Sequence, residues 1–534
     1  MLAEFLRQAR EDRPVYITDV RRAFQSGGTR PFHIHVRLYD GTVRQFPLRL
    51  PETRTPEEAE FVRSYVHAML YNILSSLGAL RIDLYLDPSD RECAKMAQAL
   101  DTVFQTDLPK SSRTGFGKCL NVNERTVFAL TQGRESFSFR VCDIAGEPQV
   151  SEPETLACSE PVFSALPAMT RGKLLLGIDI GGTDIKLAVS FDGELALCKE
   201  FDWFPASFST AEELIDPILL LTRLLRAAGT LYAQGKKEQI DAAALSKTAT
   251  LTEMACGAAA MEQAAGSLRS FDAIGLCFPD VVIRNRIVGG ETYKTRGMRE
   301  NTALDYEAQF AKITDLCTLL RAYVVPGGAV MNTNDGPMAA FTAAVEQAAA
   351  GADVSRGFFA HTLGTELGTG WVRADGSIPQ IPLEVYNFII DLGSYRQRQF
   401  DADDARSVLN FNTNLPGTLQ KYPCQSGVFR LAAKYLPQQE PDLWAEAMAR
   451  GLFRWQGEKL LVPTEPQDMR KPCLEFFMEK AAAGSPVCQE IFRQIGEHMA
   501  VTWEQTELLL HPGVQSRTLF GRLVKNEVCF RLLC

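Results

Sequence analysis

The sequence predicts an α/β protein, and three observations lead there. A buried apolar run, Leu174 to Ile178, meets Asp179, bends at Gly181-Gly182-Thr183 and leaves as a second strand, Ile185 to Val189. Further strand-like stretches then alternate with long segments of helical spacing, as at 210–234 and in the alanine-rich 241–268. Ahead of all this, a strand–strand–helix–strand order marks a smaller α+β module over 1–142. Residues 143–172, with Pro148, Pro153, Pro161 and Pro167 among acidic and small residues, have linker composition and set the boundary before a core at 173–534. A length of 534 residues accommodates two or three such units.

In the leading module, Phe32 to Leu38 alternates with Ile34, Val36 and Leu38 on one face. An Asp40-Gly41 turn and a second strand, Val43 to Leu48, complete a hairpin. A helix follows, with Thr55 as N-cap, Pro56 at the first helical position and Glu58 closing a capping box. Val62, Val66, Met69, Ile73 and Leu77 form its apolar face, and Gly78 stops it. Leu80 to Leu86 reads as a strand and Arg91 to Phe104 as a helix. His33 and His35 flank Ile34 on the opposite face. With no cysteine or aspartate at metal spacing beside them, they read as strand-face histidines.

Composition narrows the function classes. Net charge is −9 with both signs mixed along the chain, so no basic block marks nucleic acid as a partner. Thirteen cysteines occur without a CxxC pair, which predicts reduced thiols in a cytoplasm. The opening MLAEFLRQAREDRP is a charged amphipathic helix, unlike a signal peptide, and no apolar stretch is long enough for a bilayer.

The bend at 179–183 carries the first candidate chemistry. Gly181 and Gly182 can take positive φ and bring backbone N–H groups close to an anion. Thr183 adds a hydroxyl, and Asp179 at a strand end can hold hydrated Mg²⁺ through water. A plain hairpin explains the glycines but not the aspartate. Downstream, Ala329 to Ala340 ends a strand in Asn334-Asp335 and opens a helix at Gly336-Pro337. Asp335 can serve as that helix's N-cap, or as a base accepting a hydroxyl proton during phosphoryl transfer. Phe358 to Val372 holds a third glycine-rich bend, with Gly364 and Thr365, and a long helix from Ile491 to Leu510 precedes the strand 518–520 and Gly521.

Taken in this order, the four stretches resemble those of the ROK family of sugar kinases and repressors, over about 360 residues. That family lies within the actin, Hsp70 and hexokinase superfamily. The resemblance implies a two-lobed actin-like ATPase (ribonuclease H-like) core and ATP-dependent phosphorylation of a hexose or amino-sugar hydroxyl. It implies Asp335 as general base, Asn334 and Glu384 at the sugar, and Gly181, Gly182, Thr183, Gly364, Thr365 and Gly521 at the nucleotide. Mg²⁺ would be held by Asp179 through water. The bends at 181 and 364 would face each other across a gap, with Asp335 between them.

Several positions depart from the family pattern. Asp280 and Glu366 stand where glycines are usual, Trp371 replaces a small residue, and Arg522 follows Gly521 in place of a second glycine. Tyr386 and Asn387 follow Glu384 where the family has Gly-His, and Cys424 stands alone, so no structural zinc is expected. Arg284, Arg286, Glu291 and Lys294 lie in the family's excursion toward the sugar. The module at 1–142 lacks the helix-turn-helix of the family's repressors, which argues against DNA binding. Only thirteen residues follow Gly521, fewer than a closing helix pair needs, so a fragment or an altered C-terminus is expected. The alternative reading is a non-catalytic sugar- or nucleotide-responsive regulator. A dehydratase-activase-type ATPase fits less well, since it resembles a Gly-Ser-Thr turn and needs bridging cysteines. A small-molecule sugar is the expected partner, with no membrane, and assembly into a homo-oligomer is left open.

Overall fold

The structure, a computed structural model, describes residues 1–150, 162–289, 293–364, 366–394, 399–514 and 517–534. Two compact units divide the chain. Unit 1 comprises Met1–Leu156, Phe359–Trp371 and Ile381–Cys534, and unit 2 comprises Ala157–Phe358 and Val372–Gln380.

In the first part of unit 1, helices α1 (Leu2–Arg10) and α2 (Ile17–Gly27) precede the hairpin of β1 (Arg30–Arg37) and β2 (Val43–Leu50). The hairpin bends at Gly41, whose φ of +87° suits glycine. Helix α3 (Pro56–Ser76) starts where its cap signals require: the Thr55 hydroxyl accepts from the Glu58 N–H at 3.2 Å. The Glu58 carboxylate reaches one residue further back than a capping box, to the Arg54 N–H at 2.7 Å. β3 (Arg81–Leu86) follows. The helix expected over 91–104 is divided at Ala99 into α4 (Arg91–Gln98) and α5 (Leu100–Phe104). Then come α6 (Lys118–Thr131) and β4 (Phe139–Asp143), giving a sheet ordered β2-β1-β3-β4.

Within the stretch of linker composition, residues 151–161 lie outside the described ones. The part before them brings Glu147 onto the face of β1, where its carboxylate accepts from His33 Nδ1 at 2.8 Å, His35 Nε2 at 2.7 Å and Gln45 Nε2 at 2.7 Å. Burial works to raise the Glu147 pKa, but the two histidines outweigh it and hold it below the usual carboxylate range.

Unit 2 opens with α7 (Val162–Met169) and the meander β5 (Leu174–Ile180), β6 (Asp184–Phe191) and β7 (Glu194–Asp202). Helix α8 (Ala211–Ala233) begins in a full capping box between Thr210 and Glu213, and α9 (Leu251–Ala265) in another between Thr250 and Glu253. β8 (Phe271–Cys277), the short hairpin β9 (Val282–Ile283) and β10 (Arg286–Ile287), and α10 (Arg296–Glu300) come next. α11 (Tyr306–Thr314), α12 (Leu316–Leu320), β11 (Val324–Thr333) and α13 (Asp335–Ala349) complete the unit's main run. The sheet order is β11-β8-β5-β6-β7, with β8 and β11 parallel to β5 and its direct neighbour β6 antiparallel. This is the ribonuclease H-like order expected of an actin-like α/β core. Leu174, Leu176, Ile178 and Ile180 alternate inward and are buried in one cluster with Leu221, Leu225 and Met261. Asp179, between two buried isoleucines, therefore lies on the other face.

The chain returns to unit 1 with β12 (Phe358–Leu363) and β13 (Leu367–Val372), then α14 (Gln425–Gln439), α15 (Pro441–Ala449) and the hairpin β14 (Arg454–Gln456) and β15 (Lys459–Leu461). α16 (Arg470–Ala482), α17 (Pro486–Leu510), β16 (Arg517–Phe520) and α18 (Glu527–Leu533) end it. β12 and β16 are parallel in a sheet ordered β13-β12-β16. One core serves the whole unit: Val66, Met69 and Ile73 of α3 are buried in the same cluster as Phe388, Ile390, Ile491 and Ile495. Asn72, fully buried on α3, donates to the Ile389 carbonyl at 3.0 Å and accepts its N–H at 2.8 Å. The residues expected to precede the core thus share a hydrophobic interior with 381–534. Among the described residues, no helix is long and apolar enough to cross a membrane.

Candidate functional site

Three parallel strands of unit 2 end at one level, because Asp179, Cys277 and Thr333 are register partners across β5, β8 and β11. Carboxyl ends of parallel strands are where open α/β sheets bind ligands. Asp179 is exposed there and Cys277 is buried beside it. Partial desolvation of its carboxyl at the strand ends raises the Asp179 pKa. Lys186 and Lys294 work against that shift, and nearby Asp335 adds to it. Burial and the two aspartates push the Cys277 thiol well up, so it stays protonated and is no nucleophile.

β11 delivers the second carboxylate. Asn334 caps α13: its side-chain oxygen accepts the Gly336 N–H at 2.9 Å, and its amide donates to the Asp280 carbonyl at 2.7 Å. Asp335, in the first turn and exposed, also accepts from Gly336 at 2.9 Å. Asn334 rather than Asp335 holds the N-cap position, which leaves the aspartate side chain presented at the strand ends. Lys294 is only 9% exposed and lies within electrostatic reach of Asp335, Asp280 and Asp179. Burial lowers its pKa while those three acids pull it back up. Asp280, at the position where glycine is usual, packs so closely against Gly289 that a Cβ there would lie 1.4 Å from its Oδ1. Proximity of Lys294 to three acids is the feature of this site that sequence reading did not resolve, since a lone lysine in a loop carries no local mark of burial.

The glycine bend differs from expectation. Neither Gly181 nor Gly182 takes positive φ. Gly181 is required by close approach instead: a Cβ would meet Asp184 at 2.6 Å. Its N–H donates to the Asp184 carbonyl at 2.8 Å and its carbonyl accepts from Trp203 Nε1 at 3.1 Å, so both serve the hairpin. Thr183 is exposed and its carbonyl accepts the Trp203 N–H at 3.0 Å. The neighbouring acids Asp184, Glu200 and Asp202 converge within 4.8 Å, but Lys186 (3.0 Å) and Lys247 (2.7 and 3.2 Å) pair with them.

The other expected residues lie in unit 1. Gly364 follows β12, and its carbonyl accepts the Gln425 N–H at 3.2 Å from the start of α14. Gly521, at φ +100°, lies so close to Leu363 that a Cβ would stand 2.3 Å from its carbonyl oxygen. Gly364 and Gly521 are thereby brought to one end of β12. Thr365 lies outside the described residues, as does Glu291. Glu366 accepts from Gln420 Nε2 at 2.8 Å, and burial raises its pKa against the pull of Gln420 and Lys421. Glu384 stands beside the buried Tyr386 hydroxyl, on a segment whose backbone N–H bonds Ser75 at 3.0 Å.

The chain is similar to solved ROK proteins. A hexokinase from Thermus thermophilus matches with a TM-score of 0.35 at 16% identity, over 67% of this chain and 86% of that one. A glucokinase from Streptomyces griseus, in complex with glucose and AMPPNP, gives 0.31 at 14%, over 67% and 97%. A ROK transcriptional regulator, a homologue of the E. coli Mlc protein, gives 0.29 at 13%, over 68% and 78%. No protein-family model matches the sequence, and no curated protein does. The site is therefore read from its own residues.

Proposed function

We propose that the protein is an ATP-dependent kinase that phosphorylates a sugar hydroxyl. The observation that carries this reading is the convergence of Asp179, Asp335 and buried Lys294 at the carboxyl ends of β5, β8 and β11. In this reading Asp335 accepts the proton of the attacking hydroxyl, a step for which a carboxylate within hydrogen-bond reach suffices. Asn334 positions it by fixing the first turn of α13. Lys294 sets the charge around both aspartates, and the hard oxygen of Asp179 suits Mg²⁺ held through water, which would neutralise charge on a triphosphate. Gly182, Thr183, Gly364, Thr365 and Gly521 are proposed as nucleotide contacts, and Glu384 as a sugar contact.

A second reading, a regulator that binds sugar or nucleotide without turnover, is favoured by Gly181, whose N–H is engaged inside its own hairpin. A coupled ADP-release assay over a hexose and amino-sugar panel, run beside calorimetric titration with ATP and Mg²⁺, separates the two. Turnover supports the kinase. Binding with no ADP release across the panel overturns it in favour of the regulator.

A further inference from the structure

A cavity of about 390 Å³ opens in unit 1 between the end of α1, the segment 399–406 and one face of α14. Arg10, Asp12, Phe400, Arg406, Arg430 and Lys434 line it. Three of its four cations are balanced by carboxylates. Arg10 reaches Glu57 at 2.5 Å, Lys434 reaches Asp12 at 2.7 Å, and Arg406 grips Asp404 through two bonds at 2.7 and 3.0 Å.

Arg430 is the exception. Its residue is only 7% exposed, its Nε donates to the Lys421 carbonyl at 3.1 Å, and its guanidinium lies 4.4 Å from the Tyr422 ring centroid. Among the described residues it forms no ion pair with any carboxylate. The buried acid within its field, Asp391, is engaged by the N–H groups of Val15 and Gly393 and the Tyr422 hydroxyl, and burial raises its pKa. Lys421, bonded to the Ala402 carbonyl at 2.6 Å, has its pKa pushed down to about 7 by burial and by Arg430 against the pull of Asp403, Asp404 and Glu366, so it supplies Arg430 with no counter-charge. An uncompensated buried charge is costly, and a guanidinium fork matches an oxyanion through two parallel bonds.

We propose that this cavity is a binding site for a small organic phosphate, with Arg430 gripping the phosphate group. A volume of this size takes a sugar-phosphate-sized molecule. The flanking Arg406 and Lys434, though paired with Asp404 and Asp12, keep further N–H donors that a phosphate could share, and Phe400, with Arg406 stacked 4.2 Å from its centroid, offers an apolar wall for the ligand body. The site lies wholly in unit 1, apart from Asp179 and Asp335, and does not depend on the kinase reading.

Calorimetric titration of the full chain tests it, with glucose 6-phosphate, inorganic phosphate and gluconate as probes. Arg430→Gln removes the charge. Ala433→Leu, on the cavity wall, fills space while removing no charged group. The expected result is saturable binding of glucose 6-phosphate, weaker binding of inorganic phosphate, and a loss of affinity of about tenfold or more in both variants. Asp335→Asn should leave that binding unchanged. Because Ala433→Leu retains every charge, cooperative unfolding of that variant separates lost binding from lost fold. Four results overturn the proposal: no saturable binding at millimolar probe, equal affinity in wild type and folded Ala433→Leu, gluconate binding as tightly as the phosphate ester, or binding lost in Asp335→Asn but kept in Ala433→Leu.

Discussion

Each unit buries a cation at a candidate site, and these two are balanced differently. Lys294 in unit 2 is surrounded by the fields of Asp179, Asp280 and Asp335, while Arg430 in unit 1 has no carboxylate partner among the described residues. In the first case the protein supplies its own counter-charge, and the lysine in turn lets several acids stand together at the strand ends. In the second case the counter-charge has to come from outside. A buried cation among acids suits a site that manages charge during chemistry. A buried cation facing an empty volume suits one that recognises an anion.

The largest effect that would break this contrast lies at the acids. Asp335→Asn should lower sugar phosphorylation by roughly 10²–10⁴ while nucleotide affinity holds, read by ADP release beside titration. Next, Lys294→Met should destabilise unit 2 at neutral pH, because it removes the buried amine that offsets the acids at the strand ends. That deficit should shrink as pH falls, since the raised pKa of Asp179 lets it lose its charge early; denaturant melts at two pH values check both points. By contrast, Arg430→Met should stay within about 1 kcal/mol of wild type, because replacing an unpaired buried charge by apolar volume removes a desolvation cost. A loss as large as that of Lys294→Met would erase the distinction.

Acid should separate the units as well. All six histidines fall in segments of unit 1. His361 and His498 are buried there, each with a ring nitrogen that finds no hydrogen-bond partner among the described residues, and burial pushes both pKa values down from 6.5 to about 3. Between those values the unfolded chain binds more protons than the folded one, so stability falls as pH falls from 6.5 toward 3 and is unaffected above 6.5. Hydrogen exchange over that window should show amides of unit 1 losing protection before those of unit 2.

Helix starts were legible in the sequence because caps act over three or four residues. Thr55 with Pro56, and a helix over 210–234, could be placed with no knowledge of the fold. The bend after Asp179 was legible for the same reason, although its glycine is explained by the Asp184 contact rather than by positive φ. The meander and the strands that follow it carried enough alternation to indicate the central sheet of unit 2. Asn334 and Asp335 were found as a pair, but which of them caps α13 depends on a hydrogen bond that no spacing reveals.

What the sequence determined by itself is therefore short-range: strand alternation, caps, turns and the order of elements, each fixed by neighbours a few residues away. Tertiary structure alone decided which surfaces meet. It set Asn72 against Ile389, Glu147 against two histidines, Lys294 among three acids and Arg430 at a cavity, with no carboxylate ion-paired to it among the described residues. Burial and the balance of charge are sums over residues hundreds of positions apart, and a side chain's identity carries no record of what will surround it.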